Sequence, residues 1–176
     1  MGKYTFKVNI TRIIVIFVCC LLLMIFCLSL FVPLSPTKSV IHTIGFLVTG
    51  RLHFSNKNIG KEVVDEKGNK FKIFREVIVD PSSNQPEKPG AILILHFRVE
   101  NMTPEQNQRY SLLPILLYIG DPGFRSKLFT INGEYCQSIY EWDTVQNAEN
   151  YLKSFAIKTI STRSVPGSFS YKIIKK

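Results

Sequence analysis

The sequence predicts an α+β protein in which one apolar helix precedes a domain of order β-α-β-β-α-β. Two observations carry that expectation. An uncharged run of 20 residues extends from Ile13 to Val32. After residue 90, strands of alternating apolar and polar residues are separated by two stretches with helix-start signals. The length of 176 residues suits one domain with a small appendage. Hydrophobic residues at 45% against charged residues at 20% exclude wholesale disorder. The net charge of +9 hints at anionic partners, but it is spread along the chain. Lys and Arg exceed Asp and Glu by three to none over residues 1–33, nine to six over 34–90 and ten to seven over 91–176. A nucleic-acid face would gather its cations on one element, so none is expected.

The run IIVIFVCCLLLMIFCLSLFV matches a hydrocarbon core of roughly 30 Å and is expected to be a transmembrane anchor over residues 13–32. The rival reading is a cleaved secretory signal. Its apolar core is usually shorter, and Phe31-Val32-Pro33-Leu34 offers no small-residue cleavage pattern. Lys3, Lys7 and Arg12 precede the run, which places residues 1–12 in the cytoplasm and the remainder across the membrane. Cys19, Cys20 and Cys27 lie inside the run, and Cys136 is alone beyond it, so no disulfide framework is expected. His42, His53 and His96 are scattered, without the spacing of metal ligands.

Residues 33–90 read as a connector bearing Pro33 and Pro36 and a small β appendage. Its parts are a strand over Gly45–Phe54, a hairpin over Lys61–Asp80 and a proline-rich loop over 81–90. Residues 91–176 hold the main domain. Ala91–Glu100 is a strand with Leu93, Leu95 and Phe97 on one face and Ile94, His96 and Arg98 on the other. Thr103-Pro104-Glu105-Gln106 opens a helix that bends near Pro114. Phe124–Ile131 and Glu134–Trp142 flank an Asn132-Gly133 turn. Asp143-Thr144 cap a second helix, with Ala148, Tyr151, Leu152, Phe155, Ala156 and Ile160 on its buried stripe, and Ser168–Ile174 closes the series. The order is that of a ferredoxin-like split motif, with both helices on one face of an antiparallel sheet.

Asp121-Pro122-Gly123-Phe124-Arg125-Ser126-Lys127-Leu128-Phe129, Ser138-Ile139-Tyr140-Glu141-Trp142-Asp143 and Ala148-Glu149-Asn150-Tyr151-Leu152 resemble the small YdhR-type monooxygenase-like proteins. These belong to the antibiotic-biosynthesis-monooxygenase-like superfamily of dimeric α/β barrels. The resemblance covers residues 91–174 and leaves out the apolar run and the appendage. It implies a homodimer, a pocket between sheet and helices in each subunit, and oxidation of a small apolar or phenolic molecule without a tightly bound cofactor. The haem-degrading branch places a histidine on the second helix. This chain has none between Thr144 and Arg163, so haem degradation is not expected.

The candidate catalytic residues are His96 and Arg98, a proton carrier and a cation that would favour the anion of a phenol, if their strand face meets a pocket and not solvent. Tyr140, Trp142 and Lys127 are the candidate pocket residues; the competing reading is ordinary core packing for the aromatic pair and edge or interface charge for Lys127. No metal site and no cofactor site is expected. The alternative to an enzyme is a non-catalytic module at the membrane surface that binds a small ligand or another protein.

Overall fold

The computed structural model describes residues 10–29 and 35–176. The chain divides into two units, residues 1–33 and 34–176. In the first, α1 (Ile10–Ser29) is a 20-residue helix, and its described apolar side chains, among them Ile16, Leu23 and Leu28, are exposed. Among the described residues no helix is long and apolar enough to cross a membrane. The run expected to do so, residues 13–32, lies only partly within them, and residues 1–9 of the expected cytoplasmic segment lie outside them.

The second unit is built on one antiparallel sheet. Its strands are β1 (Leu52–Phe54), β2 (Glu62–Val64), β3 (Lys70–Val79), β4 (Ala91–Arg98), β5 (Phe124–Asn132), β6 (Tyr135–Trp142) and β7 (Ser170–Lys175). The order is β1-β3-β5-β6-β4-β7, with β2 paired to β3. The segment β5-β6-β4-β7 is the ferredoxin-like core, and the expected β-α-β-β-α-β order holds across it. Residues 45–80 do not form a separate appendage. β3 pairs with β5 from Lys72↔Ile131 to Ile78↔Ser126. An edge strand with unpaired backbone groups recruits any neighbouring strand of matching alternation, and KFKIFREVIV supplies it.

The connecting segments depart from expectation at two points. Residues 36–48 form a helix, α2 (Pro36–Val48), where a connector and the start of a strand are expected. The start signals are present in the sequence: the Ser35 hydroxyl accepts from the Lys38 amide, and Pro36 occupies the first turn. The expected second helix is two helices, α4 (Val145–Leu152) and α5 (Phe155–Thr162), because Ser154 caps the second of them. That break rotates the stripe, so Tyr151 is buried while Phe155 is 53% exposed. The first helix, expected to bend near Pro114 and continue, stops earlier: α3 (Pro104–Tyr110) carries a full capping box and gives way to a separate 3₁₀ turn over Leu113–Leu117, which contains Pro114.

The core lies between the sheet and α4, α5 and the 3₁₀ segment, with Leu93, Leu95, Tyr140 and Trp142 from the strands meeting Tyr118, Ile119, Tyr151 and Ile157. A buried Arg125–Asp143 pair, to which Gln85 adds a hydrogen bond of 2.8 Å on Asp143, pins the long loop before β4 to the start of β5.

α2 docks on the segment after the 3₁₀ turn. A side chain at Gly120 would stand 2.0 Å from the Ser39 carbonyl oxygen, so only glycine allows this approach. The His42 ring bonds the Gly120 carbonyl at 3.0 Å. Asp121 is buried beside Ser39, and burial pushes its carboxyl up to about 7, against partial relief from the Ser39 hydroxyl. A carboxyl whose pKa is raised by folding binds its proton more tightly in the folded state. Its contribution therefore falls as pH climbs from the ordinary Asp value of 3.8 to about 7. Asp121→Asn is expected to melt higher than the parent at pH 8, by several degrees for a change on the order of 1–2 kcal/mol. The difference should shrink toward pH 4. Thermal melts across that range check it.

Candidate functional site

Between the sheet and the helices lies a cavity of about 270 Å³. Its walls come from Phe74 on β3, Phe97 on β4, Phe129 on β5, Asn107 and Tyr110 on α3, Pro114 and Tyr118 around the 3₁₀ turn, and Ala156 and Ile160 on α5. Lys127 and Arg163 are its cations, and among the described residues no Asp or Glu lines it.

Lys127 is placed there by strand register. It pairs with Tyr140 across the β5–β6 ladder, on the face that meets the helices. A bulge between Phe124 and Ser126 takes Arg125 out of the alternation, so Phe124 and Lys127 both turn inward while Arg125 reaches Asp143. Because β3 covers β5, Lys127 sits on an interior strand and not at a sheet edge. Its ammonium nitrogen stands 4.0 Å from the Phe129 ring centroid and 4.6 Å from those of Tyr118 and Tyr140. Among the described residues no carboxylate pairs with it. Burial therefore holds its pKa well below the ordinary lysine range. The three rings stabilise the cation partly, through their negative faces.

Two of the polar residues at the cavity wall bear directly on Lys127. The Tyr118 hydroxyl is buried and has no hydrogen-bond partner among the described residues. Burial also raises its pKa, so it remains a phenol able to donate. Cys136 is held by Asn107, whose amide donates to Sγ at 2.6 Å. Burial pushes the Cys136 thiol up to about 11, which leaves little thiolate at neutral pH.

The other expected site residues lie elsewhere. Tyr140 and Trp142 are fully buried in the core and do not line the cavity. Tyr140 accepts from the Tyr151 hydroxyl at 3.2 Å, and Trp142 stands 4.9 Å from the Tyr151 ring. Tyr140 walls Lys127 in from behind. His96 and Arg98 face the opposite side of the sheet, along a broad groove that also receives the β2–β3 hairpin. His96 bonds Gln137 at 3.0 Å and packs edge-on to Phe71. Burial lowers its pKa. Arg98 pairs with Glu134 at 3.2 Å. Thus Lys127 is the one expected site residue that reaches the cavity. Tyr118 and Asn107, which sequence reasoning passed over, reach it too. Among the described residues no group of three or more His, Cys, Asp or Glu is placed to hold a metal ion.

No family model matches the chain, and no curated protein matches it. Several solved structures are distantly similar to it. A monooxygenase-like protein from Listeria innocua matches at 14% identity and TM-score 0.46, over 62% of this chain and 65% of that one. This chain thus spans about two thirds of that protein's length. A ferredoxin-fold protein related to antibiotic biosynthesis monooxygenases, from Listeria monocytogenes, matches at 15% identity and TM-score 0.47, over 75% and 86% of the two chains. A haem-degrading enzyme of Listeria monocytogenes matches at 15% identity and TM-score 0.43, over 76% and 92%. These similarities concern the backbone, and the ferredoxin-like assignment of this chain rests on its own strand order.

Proposed function

We propose that the chain is a monooxygenase-like protein that binds a small apolar or phenolic molecule in the cavity between sheet and helices, with Lys127 as the partner of its acidic oxygen. The observation that carries this reading is the buried amine at an apolar cavity without a lining carboxylate. Such a site holds an amine that burial keeps neutral and that is free to accept one proton. A phenol entering it transfers its proton from oxygen to Nζ, and the resulting phenolate–ammonium pair is stronger in the dry cavity than in water. The volume of about 270 Å³ suits one or two fused rings. In the catalytic form of this reading the electron-rich anion reduces molecular oxygen, and the substrate itself supplies the electrons. Binding without turnover is favoured by one observation: His96 and Arg98, the expected catalytic pair, open on the other face.

The full chain, in detergent, is expected to bind 1-naphthol, and Lys127→Met to weaken that binding tenfold or more, about 1.4 kcal/mol. The same variant should melt higher than the parent at pH 7, because it removes a buried amine whose charging the fold opposes. Unchanged binding would remove Lys127 from the site. Oxygen uptake with a panel of phenols and quinols then separates an enzyme from a binding module.

We further propose that residues 13–32 anchor the chain in a membrane, with the N-terminus cytoplasmic and residues 34–176 across it, and that copies pair as a homodimer. The uncharged run and the cations before it support the anchor. The exposed Ile41, Ile44 and Val48 of α2, close after it in sequence, support a lipid neighbourhood. Ile94, Ile139 and Ile174 on the open sheet face support pairing there. The expected outcome is retention in the membrane pellet after alkaline carbonate extraction; release into the supernatant contradicts the anchor.

A further inference from the structure

Lys127 lines the cavity, and its amine lies against the ring of Tyr118, whose hydroxyl is buried in the wall. Lys127 Nζ lies 4.6 Å from the centre of the Tyr118 ring. Among the described residues Lys127 has no carboxylate, and the Tyr118 hydroxyl has no hydrogen-bond partner. Both residues line the same apolar cavity. We propose that this pair takes an aldehyde or ketone with an apolar body and holds it as an imine on Lys127, with Tyr118 as the acid. The inference rests on the reading of this cavity as the ligand site and goes beyond it in naming a covalent carbonyl ligand.

The chemistry balances without a further reagent. The Nζ lone pair attacks the carbonyl carbon, a C–N bond forms, and the C=O π pair moves to oxygen, which takes a proton. The nitrogen gives up a proton, leaving a neutral carbinolamine. Loss of its hydroxyl as water, on protonation by Tyr118, forms the C=N bond, and the remaining nitrogen proton is returned. The net change is amine plus carbonyl to imine plus one water, with no oxidation. Attack needs the neutral amine, and the dry surroundings of Lys127 favour that form. An unpartnered phenol supplies the proton at the stage where hydroxide would otherwise have to leave into an apolar wall. Cys136 is the competing nucleophile in the same cavity, but its thiol is bonded by Asn107 and has little thiolate. The phenol reading and the carbonyl reading use the same nitrogen, as a base in one and as a nucleophile in the other.

The test uses the full chain in detergent at pH 7, with cinnamaldehyde as probe and sodium cyanoborohydride to reduce any imine, read by intact mass and peptide mapping. The expected result is one reduced adduct per chain on the peptide bearing Lys127. It should form roughly tenfold or more faster than on any other lysine, since each unit of pKa depression gives about ten times more neutral amine. Lys127→Met, which buries no charge, should lose that adduct while keeping a cooperative melt. Tyr118→Phe should retain the site of modification and slow its formation. Adducts scattered over surface lysines, with Lys127 unmodified, would overturn the proposal, as would modification of Cys136 in its place. Naphthol binding measured on the same sample keeps the two readings apart. Naphthol bound with Lys127 untrapped defeats the imine alone, and neither bound defeats both.

Discussion

An amine surrounded by Phe129, Tyr118 and Tyr140, with no carboxylate in contact among the described residues, is the constraint to which the rest of the second unit answers. Burying an unpaired charge is costly, and a protein that keeps such a group must stabilise it or keep it neutral. Aromatic faces contribute part of that stabilisation and desolvation favours the neutral form. Neither effect would survive if β5 were a sheet edge, where water would reach the lysine. The added strand β3 closes that side, and its bulge near Phe74 keeps an aromatic residue facing the cavity beside Phe129. The addition of residues 45–80 to the ferredoxin-like core is therefore part of how the site is made dry.

A second set of contacts holds the cavity wall from the outside. Tyr118 ends the 3₁₀ segment, and the next three residues carry the close approach of α2, with Gly120 against Ser39 and Asp121 buried beside it. The ring of Tyr118 packs on Tyr140 and Tyr151 at 5.9 and 6.0 Å, which fixes its position relative to Lys127. A change in how α2 seats on this turn is thus felt two to three residues from a cavity-lining side chain.

Much of this architecture is legible in the sequence. The capping box at Thr103, the Asn132-Gly133 turn and the alternation of Ala91–Arg98 are local signals, and local signals place β4, α3, β5 and β6. What alternation alone cannot supply is the partner of a strand. KFKIFREVIV reads equally well as half of an isolated hairpin or as an addition to β5, and only the free edge of β5 decides between them. The same limit explains the site. Lys127 is recognisable as a cation on a strand, yet its isolation depends on β3, on the bulge at Arg125 and on a turn almost ten residues earlier that brings Tyr118 over it. His96 and Arg98 are read correctly as a face opposite Leu93 and Leu95, but the helices lie on the leucine side. In α2, an N-cap serine and a following proline are readable signals, but prolines also act as breakers, and the sequence alone does not decide between the two roles.

The chemistry of the cavity turns on the protonation of one nitrogen, and that can be observed directly. With lysine labelled at 13Cε and 15Nζ, and Lys127→Met used to assign the resonance, the titration of Lys127 can be followed by NMR in the full chain. The account predicts a midpoint well below the ordinary lysine value of about 10.4, with the remaining lysines near it. A midpoint at or above that value would mean that Lys127 is a solvated or paired ammonium, and neither the proton-accepting nor the imine-forming role of the cavity could stand.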